Sequence, residues 1–228
     1  MSSWNDFFVK NSKLISHIYN QLRNTQYIPP VENVFKIFSF IDLEKVKVVI
    51  VGDEPYDNEN EISDIAIATK KTNIVPPKLL RNIYANLENH VKAYKPISNH
   101  HLDRWLEEGI FLCNFCFTRP RFQSTPKSYY LLWEPFINNL VEYISNDHPV
   151  VFMLFDSIDS SLRKSINESK CSVVTIPHPI KKYYQFKNSN CFVEAQQLLV
   201  TFDILLSGNF GITKLNCNFY PNFDFIND

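Results

Sequence analysis

The sequence predicts an α/β fold: a single domain in which a central, mainly parallel four-stranded sheet is flanked by helices. Three observations carry that expectation. Short runs of branched apolar residues alternate along the chain with segments of helical period. The runs at 46–51, 110–113, 150–155 and 173–176 are strand-length and read as strands buried on both faces. The segments between them are long enough for the crossovers that parallel pairing requires.

The elements follow in order. Residues 3–22 place Phe7, Phe8, Leu14, Ile15, Ile18 and Leu22 at helical spacing, with a break expected near Asn11. Tyr27-Ile28-Pro29-Pro30 is a stop signal. Residues 34–40 read as a short helix before the first strand, Val46-Lys47-Val48-Val49-Ile50-Val51. Residues 64–69 are expected to add a second short strand. Leu79, Leu80, Ile83, Tyr84 and Leu87 mark one face of a helix over 78–92. The strand at 110–113, an amphipathic helix over 133–144, the strands at 150–155 and 173–176 and a helix over 190–206 complete the pattern. Residues 1–206 therefore form the predicted domain. The Asn-, Phe- and Gly-rich residues 207–228 read as a C-terminal extension.

Composition bounds the function. A hydrophobic content of 45% is that of a folded globule. Nineteen Phe and eleven Tyr against four Gly predict a core packed with rings and few hinges. A formal net charge of -1 counts against strong non-specific affinity for nucleic acid, although one local basic patch suffices for DNA binding. Cys113, Cys116, Cys171, Cys191 and Cys217 are odd in number and scattered, which argues against a disulfide framework and for a reducing, intracellular compartment. Cys113 and Cys116 form a C-x-x-C inside an apolar run. They read as small core residues, since no second pair at metal spacing accompanies them. No apolar run approaches the roughly 18 residues of a membrane span, and residues 1–30 lack a signal-peptide core.

In parallel sheets the ligand site lies beyond the carboxyl ends of the strands. Three segments fall there: 52–57, 114–119 and 177–182. The first, Gly52-Asp53-Glu54-Pro55-Tyr56-Asp57, packs three acids into one turn. Taken alone it reads as a solvated acidic turn whose carboxyls raise one another's pKa and repel phosphate. Asn114 offers a donor and an acceptor side by side, but a strand-end Asn also serves as a simple turn cap. His178, between Pro177 and Pro179, carries little weight alone.

In order and spacing, the three segments resemble the active-site motifs of the family-1 uracil-DNA glycosylases. Val34-Phe35-Lys36-Ile37-Phe38 looks like the family's helix before the first strand, and the run from Val75-Pro76-Pro77-Lys78 to Tyr84 looks like its Pro-Pro-Ser-Leu-x-Asn segment. Trp105, Gly109 and Trp133-Glu134 also fall in register, so the resemblance covers about residues 4–199. It implies the uracil-DNA glycosylase fold and hydrolysis of the N-glycosidic bond of deoxyuridine in DNA, without cofactor or metal. That bond breaks toward an oxocarbenium-like sugar and a uracil anion, so the site needs a carboxylate near the sugar and a donor at uracil O2. It also needs a pocket that reads a base taken out of the stack.

The resemblance assigns these roles residue by residue. Glu54 stands where the family has its catalytic aspartate, one methylene longer. His178 matches the histidine that donates to O2. Asn114 matches the asparagine that pairs with the uracil edge, and Tyr56 the ring that excludes the thymine methyl. Asp53 replaces a glutamine, Asp57 a histidine, and Ile67 the phenylalanine that stacks on uracil. Lys78 replaces a phosphate-gripping serine. Lys181 and Lys182 occupy the wedge loop, where they offer phosphate contacts. The resemblance thus implies a divergent member acting on single- or double-stranded DNA, slower than typical members, with a replication protein as a further partner. The same departures leave open a catalytically impaired glycosylase fold acting as a DNA-binding or polymerase-accessory module, or a glycosylase for another base.

Overall fold

The computed structural model describes residues 3–72, 75–91, 94 and 99–207 of the chain. Helix α1 (Asn5–Leu22) leads to a two-residue strand β1 (Tyr27–Ile28) and on to β2 (Val48–Gly52). Then come α2 (Lys78–His90), α3 (Asp103–Glu107), β3 (Ile110–Asn114), β4 (Arg119–Pro120) and α4 (Lys127–Asp147). The chain continues through β5 (Val151–Phe155), α5 (Asp159–Leu162), β6 (Ser172–Ile176), α6 (Tyr183–Lys187) and α7 (Cys191–Ser207).

The main sheet has the order β3-β2-β5-β6, with every neighbouring pair parallel. Every residue of β2, β3 and β5 is buried. Successive side chains on a strand point to opposite faces, so both faces are covered. Helix α7 packs on β5 and β6, α1 on α4, and α2 on α6 and α7. The connection from β2 goes out to β3 on one side, and the chain returns to β5 on the other. The carboxyl end of β2 is therefore a topological switch point, where such sheets open a crevice.

Aromatic packing fixes the loops above that crevice. Trp4 lies edge-on to Phe38 at 5.1 Å and against Phe111 of β3 at 5.4 Å. Trp133 stacks at a tilt on Phe117 and donates its indole N–H to Thr118 at 2.9 Å. The segment after β3 is thus held by the body of α4. Gly109 approaches the chain before β2 so closely that a Cβ there would sit 2.6 Å from the Lys45 carbonyl oxygen. Its φ of +91° also favours glycine.

Several local expectations need correction. Residues 5–22 form one unbroken helix. Asn11 does not interrupt it, because its amide donates to the Phe7 carbonyl at 2.9 Å and accepts from Asn139 at 2.7 Å. The short helix expected over 34–40 is a 3-10 turn at Lys36–Ser39. Residues 64–69 form no strand, since Ile67 adopts a left-handed backbone (φ +69°) that leaves the extended region. Tyr27–Ile28 is more than a stop: it pairs antiparallel with Arg119–Pro120. Helix α4 extends well beyond 133–144 and carries Pro135 inside it. The expected C-terminal extension lies outside the described residues past Ser207, as does Cys217. Cys113, Cys116, Cys171 and Cys191 are buried free thiols. Burial pushes the Cys113 and Cys116 thiols far up, so both stay protonated as core residues. No helix among the described residues is long and apolar enough to cross a membrane.

Candidate active site

The three strand-end segments converge. Backbone bonds continue the sheet past its strands: the Phe115 N–H donates to Gly52 O at 2.8 Å and the Cys116 N–H to Asp53 O at 3.0 Å. On the other side the Asp156 N–H donates to Ile176 O at 2.8 Å. The loop after β6 is tied down by α2, where the Asn82 amide donates to Pro179 O at 2.8 Å. Above these ties lies a cavity of about 260 Å³. Asp53, Glu54, Tyr56, Ile67, Asn114, His178 and Lys181 all line it. Lys78 and Lys182 do not line it: Lys78 is an exposed residue opening α2, and Lys182 pairs with Asp156 at 2.6 Å.

One wall is shaped by sterics. Gly52 and Asn114 are register partners at the ends of β2 and β3. A Cβ at Gly52 would lie 2.8 Å from Asn114 Oδ1 and 3.6 Å from Ile67 Cγ1, so glycine makes the room both side chains occupy. Asn114 is 9% exposed, and no described group holds its amide. Its donor and acceptor are therefore available to a ligand. The Tyr56 hydroxyl donates to the Ile67 carbonyl oxygen. That bond braces Ile67 in its left-handed conformation, which costs on the order of 1–3 kcal/mol for a non-glycine residue. Burial pushes the Tyr56 hydroxyl far above its ordinary range, so this wall stays neutral.

The other wall is ionic. Asp53 is 7% exposed and fully partnered. Ser157 donates to its Oδ1, Lys181 Nζ reaches Oδ2 at 2.8 Å, and His178 Nε2 lies 3.3 Å from the same oxygen. Burial alone would raise its pKa. The hydrogen bonds from His178, Lys181 and Ser157 and the Lys181 charge outweigh it and hold the carboxyl down to about 2. This overturns the expectation of a solvated acidic turn whose members raise one another's pKa. Of the three acids, only Asp57 is exposed.

The His178 tautomer follows from its partners. Nδ1 accepts the backbone N–H groups of Ile180 at 3.0 Å and Lys181 at 3.3 Å, so the ring proton of the neutral form sits on Nε2, the nitrogen that lies 3.3 Å from Asp53 Oδ2 at the edge of the cavity. Glu54 contrasts with its neighbour: its Oε2 is buried and has no hydrogen-bond partner among the described residues. A carboxylate oxygen left so is costly unless a ligand, a water or a developing cation meets it. The arrangement thus sets an unpartnered carboxylate, an imidazole N–H and an open amide around one cavity.

Two contributors escaped the sequence reading. Ser157 follows β5, and the strand-end rule that selected the other three segments also covers this one. Arg119 is 9% exposed, lines the cavity and donates to Pro55 O at 3.3 Å and Gln123 O at 3.1 Å, bracing the turn that carries Glu54. It fell inside the 114–119 segment without a distinguishing signal.

The profile of the uracil DNA glycosylase superfamily matches residues 38–200. The chain is similar to the uracil-DNA glycosylase of Buchnera aphidicola, 32% identical over 207 residues that span 86% of this chain and 90% of the relative. It is also similar to that of Francisella philomiragia, 30% identical over 212 residues spanning 89% and 96% of the two chains. Among solved structures, the mimivirus uracil-DNA glycosylase superposes with a TM-score of 0.74 at 21% identity, covering 87% of this chain and 83% of the other. That last likeness bears on the fold alone.

Proposed function

The chain belongs to the uracil DNA glycosylase superfamily, and from that premise we propose that it excises uracil from DNA by hydrolysing the N-glycosidic bond of deoxyuridine. The observation that carries this reading is the meeting of Glu54, Asn114 and His178, from three separate strand ends, around one cavity. At about 260 Å³ it suits a single-ring base, lying just under the roughly 300–1,000 Å³ of drug-sized sites.

The chemistry then follows from each group. A deoxyuridine leaves the base stack, at a cost of a few kcal/mol. Its base enters the cavity against the wall of Tyr56 and Ile67. The Asn114 amide pairs with N3–H and O4, and Tyr56 sits where a 5-methyl group would project. As the glycosidic bond lengthens, the electron pair moves onto the base, and the His178 Nε2–H meets the negative charge growing on O2. The Glu54 carboxylate faces the positive sugar, orients the water whose oxygen bonds to C1′ and takes the proton that this water loses. Glu54 is one methylene longer than an aspartate, which shifts this carboxylate, and a misplacement on the order of 1 Å costs about a hundredfold. Turnover is therefore slow for the family.

The test is incubation of the purified protein with a uracil-containing oligonucleotide, followed by alkaline cleavage at abasic sites. Strand breaks at uracil are expected, with Glu54→Asp faster than wild type and Glu54→Gln inactive. If wild type and Glu54→Asp both leave the strand intact, excision is not what this chain does.

A further inference from the structure

We propose that Asp53 and Lys181 set the rate of excision through the charge they place beside His178, and that Lys181 serves as a counter-ion inside the protein rather than as a contact to DNA phosphate. This rests on the excision reading above and specifies how its rate is governed.

The geometry is that of a cross-tie. Asp53 belongs to the turn after β2, Ser157 to the segment after β5, and His178 and Lys181 to the loop after β6. One buried carboxylate joins all three. Its Oδ1 is taken by Ser157, and its Oδ2 is shared by Lys181 at 2.8 Å and His178 Nε2 at 3.3 Å. The Lys181 side chain is 64% exposed yet turns inward to reach a group that is 7% exposed. A lysine recruited for phosphate has no reason to be spent this way.

The consequences concern the same proton that excision needs. A carboxylate is a strong acceptor for the Nε2–H, so in the free protein it competes with a base oxygen for that hydrogen. An unbalanced negative charge there also opposes an anion forming on the base, because a low-dielectric site screens charge poorly. The Lys181 ammonium cancels it. The excision rate should therefore follow the summed charge at positions 53 and 181: zero in the wild type, positive in Asp53→Asn, negative in Lys181→Ala, and zero again in the double variant. Both residues act through His178 and are positioning residues.

The experiment measures single-turnover excision from a uracil-containing single-stranded oligonucleotide for these four proteins, together with the KM and its salt dependence. Asp53→Asn should be about tenfold faster than wild type and Lys181→Ala about tenfold slower, the scale of one unit charge beside a buried site. The double variant should return near wild type. KM and salt slope should stay level between wild type and Lys181→Ala. If Lys181→Ala instead raises KM and flattens the salt slope while leaving the single-turnover rate alone, Lys181 is a phosphate contact and the proposal is overturned. An Asp53→Asn that is slower overturns it too, provided Asp53→Gln is equally slow and both melt as folded proteins. A readout free of turnover separates this from the excision reading: ¹H–¹⁵N correlation of the His178 ring. The Nε2–H signal should move upfield in Asp53→Asn. No movement means the contact is absent and the proposal falls even if uracil is excised. Movement without excision by any of the four proteins means the excision reading has failed and has taken the rate device with it.

Discussion

The two walls of the cavity are built by different physics. The wall of Gly52, Tyr56, Ile67 and Asn114 is held by backbone register, a missing Cβ and one hydroxyl bond, and it bears no charge. The wall of Asp53, Ser157, His178 and Lys181 is held by ion pairing across three loops. In the proposed function the first wall would read shape and hydrogen-bond pattern, so it should be indifferent to pH and salt but intolerant of added atoms. The second should tolerate isosteric change but respond to charge. The neighbours Asp53 and Glu54 show the contrast at its sharpest: one carboxylate is saturated with partners, while an oxygen of the other is buried without any among the described residues.

The largest effect that would break this comparison is steric. Gly52→Ala places a Cβ 2.8 Å from Asn114 Oδ1, closer than real contacts allow, and the amide must swing away from the base edge. Excision should fall by about a hundredfold, the cost of misplacing a reading group by roughly 1 Å, and free-uracil affinity measured by calorimetry should fall with it. Asn114→Ala in the same assay should cost roughly 1–3 kcal/mol of uracil binding. If Gly52→Ala binds uracil as wild type does, the wall is not shaped by that close approach.

The second effect is electrostatic and smaller. Asp53 has its carboxyl held at about 2, against an ordinary 3.8. A carboxyl depressed on folding stabilises the native state above its unfolded pKa, and that contribution disappears as pH falls through the folded value. Wild type should therefore exceed Asp53→Asn in stability by on the order of 2 kcal/mol above about pH 4. The difference should close between there and about pH 2, as followed by urea denaturation across pH. The same substitution is expected to speed excision, so the pair would exchange stability for rate. A constant gap across pH would mean that the Asp53 charge does nothing for the fold.

How much of this was legible in the sequence differs between the walls. The strands at β2, β3, β5 and β6 were readable because burial on both faces leaves unbroken branched runs such as Val48-Val49-Ile50-Val51. Their carboxyl ends located the cavity, and with them Glu54, Asn114 and His178. The sheet's neighbours were less so. Residues 64–69 look like a strand by composition, yet the left-handed turn at Ile67 depends on a tertiary bond from Tyr56 that no local pattern announces. Asn11 looked like a helix breaker because its partner, Asn139, lies far along the chain. The ionic wall was misjudged for the same reason. Three acids in one turn look mutually repulsive until Lys181 and Ser157 arrive from other loops to meet Asp53.

The smallest expected effect concerns which lysine meets DNA. Lys78, Lys181 and Lys182 were alike in the sequence, but the fold sorts them. Lys181 is committed to Asp53 and Lys182 to Asp156, at 2.8 and 2.6 Å. Lys78 is exposed at the first residue of α2 and has no ion-pair partner among the described residues. A phosphate that recruits Lys182 must first break an existing pair, so less of the lysine's charge is left to release counterions from DNA. One that meets Lys78 also faces the unpaired N–H groups that open the thirteen-residue helix α2. Each full phosphate contact contributes about -0.7 to -0.9 to the slope of log affinity against log salt. Lys78→Ala should therefore flatten that slope by close to one such step, Lys182→Ala by a fraction of it, and Lys181→Ala hardly at all, as read by fluorescence anisotropy with a labelled oligonucleotide across salt concentrations. Equal steps from all three lysines would show that the pairs seen in the free protein give way to DNA without cost. The ionic wall would then be an arrangement of the unbound state only.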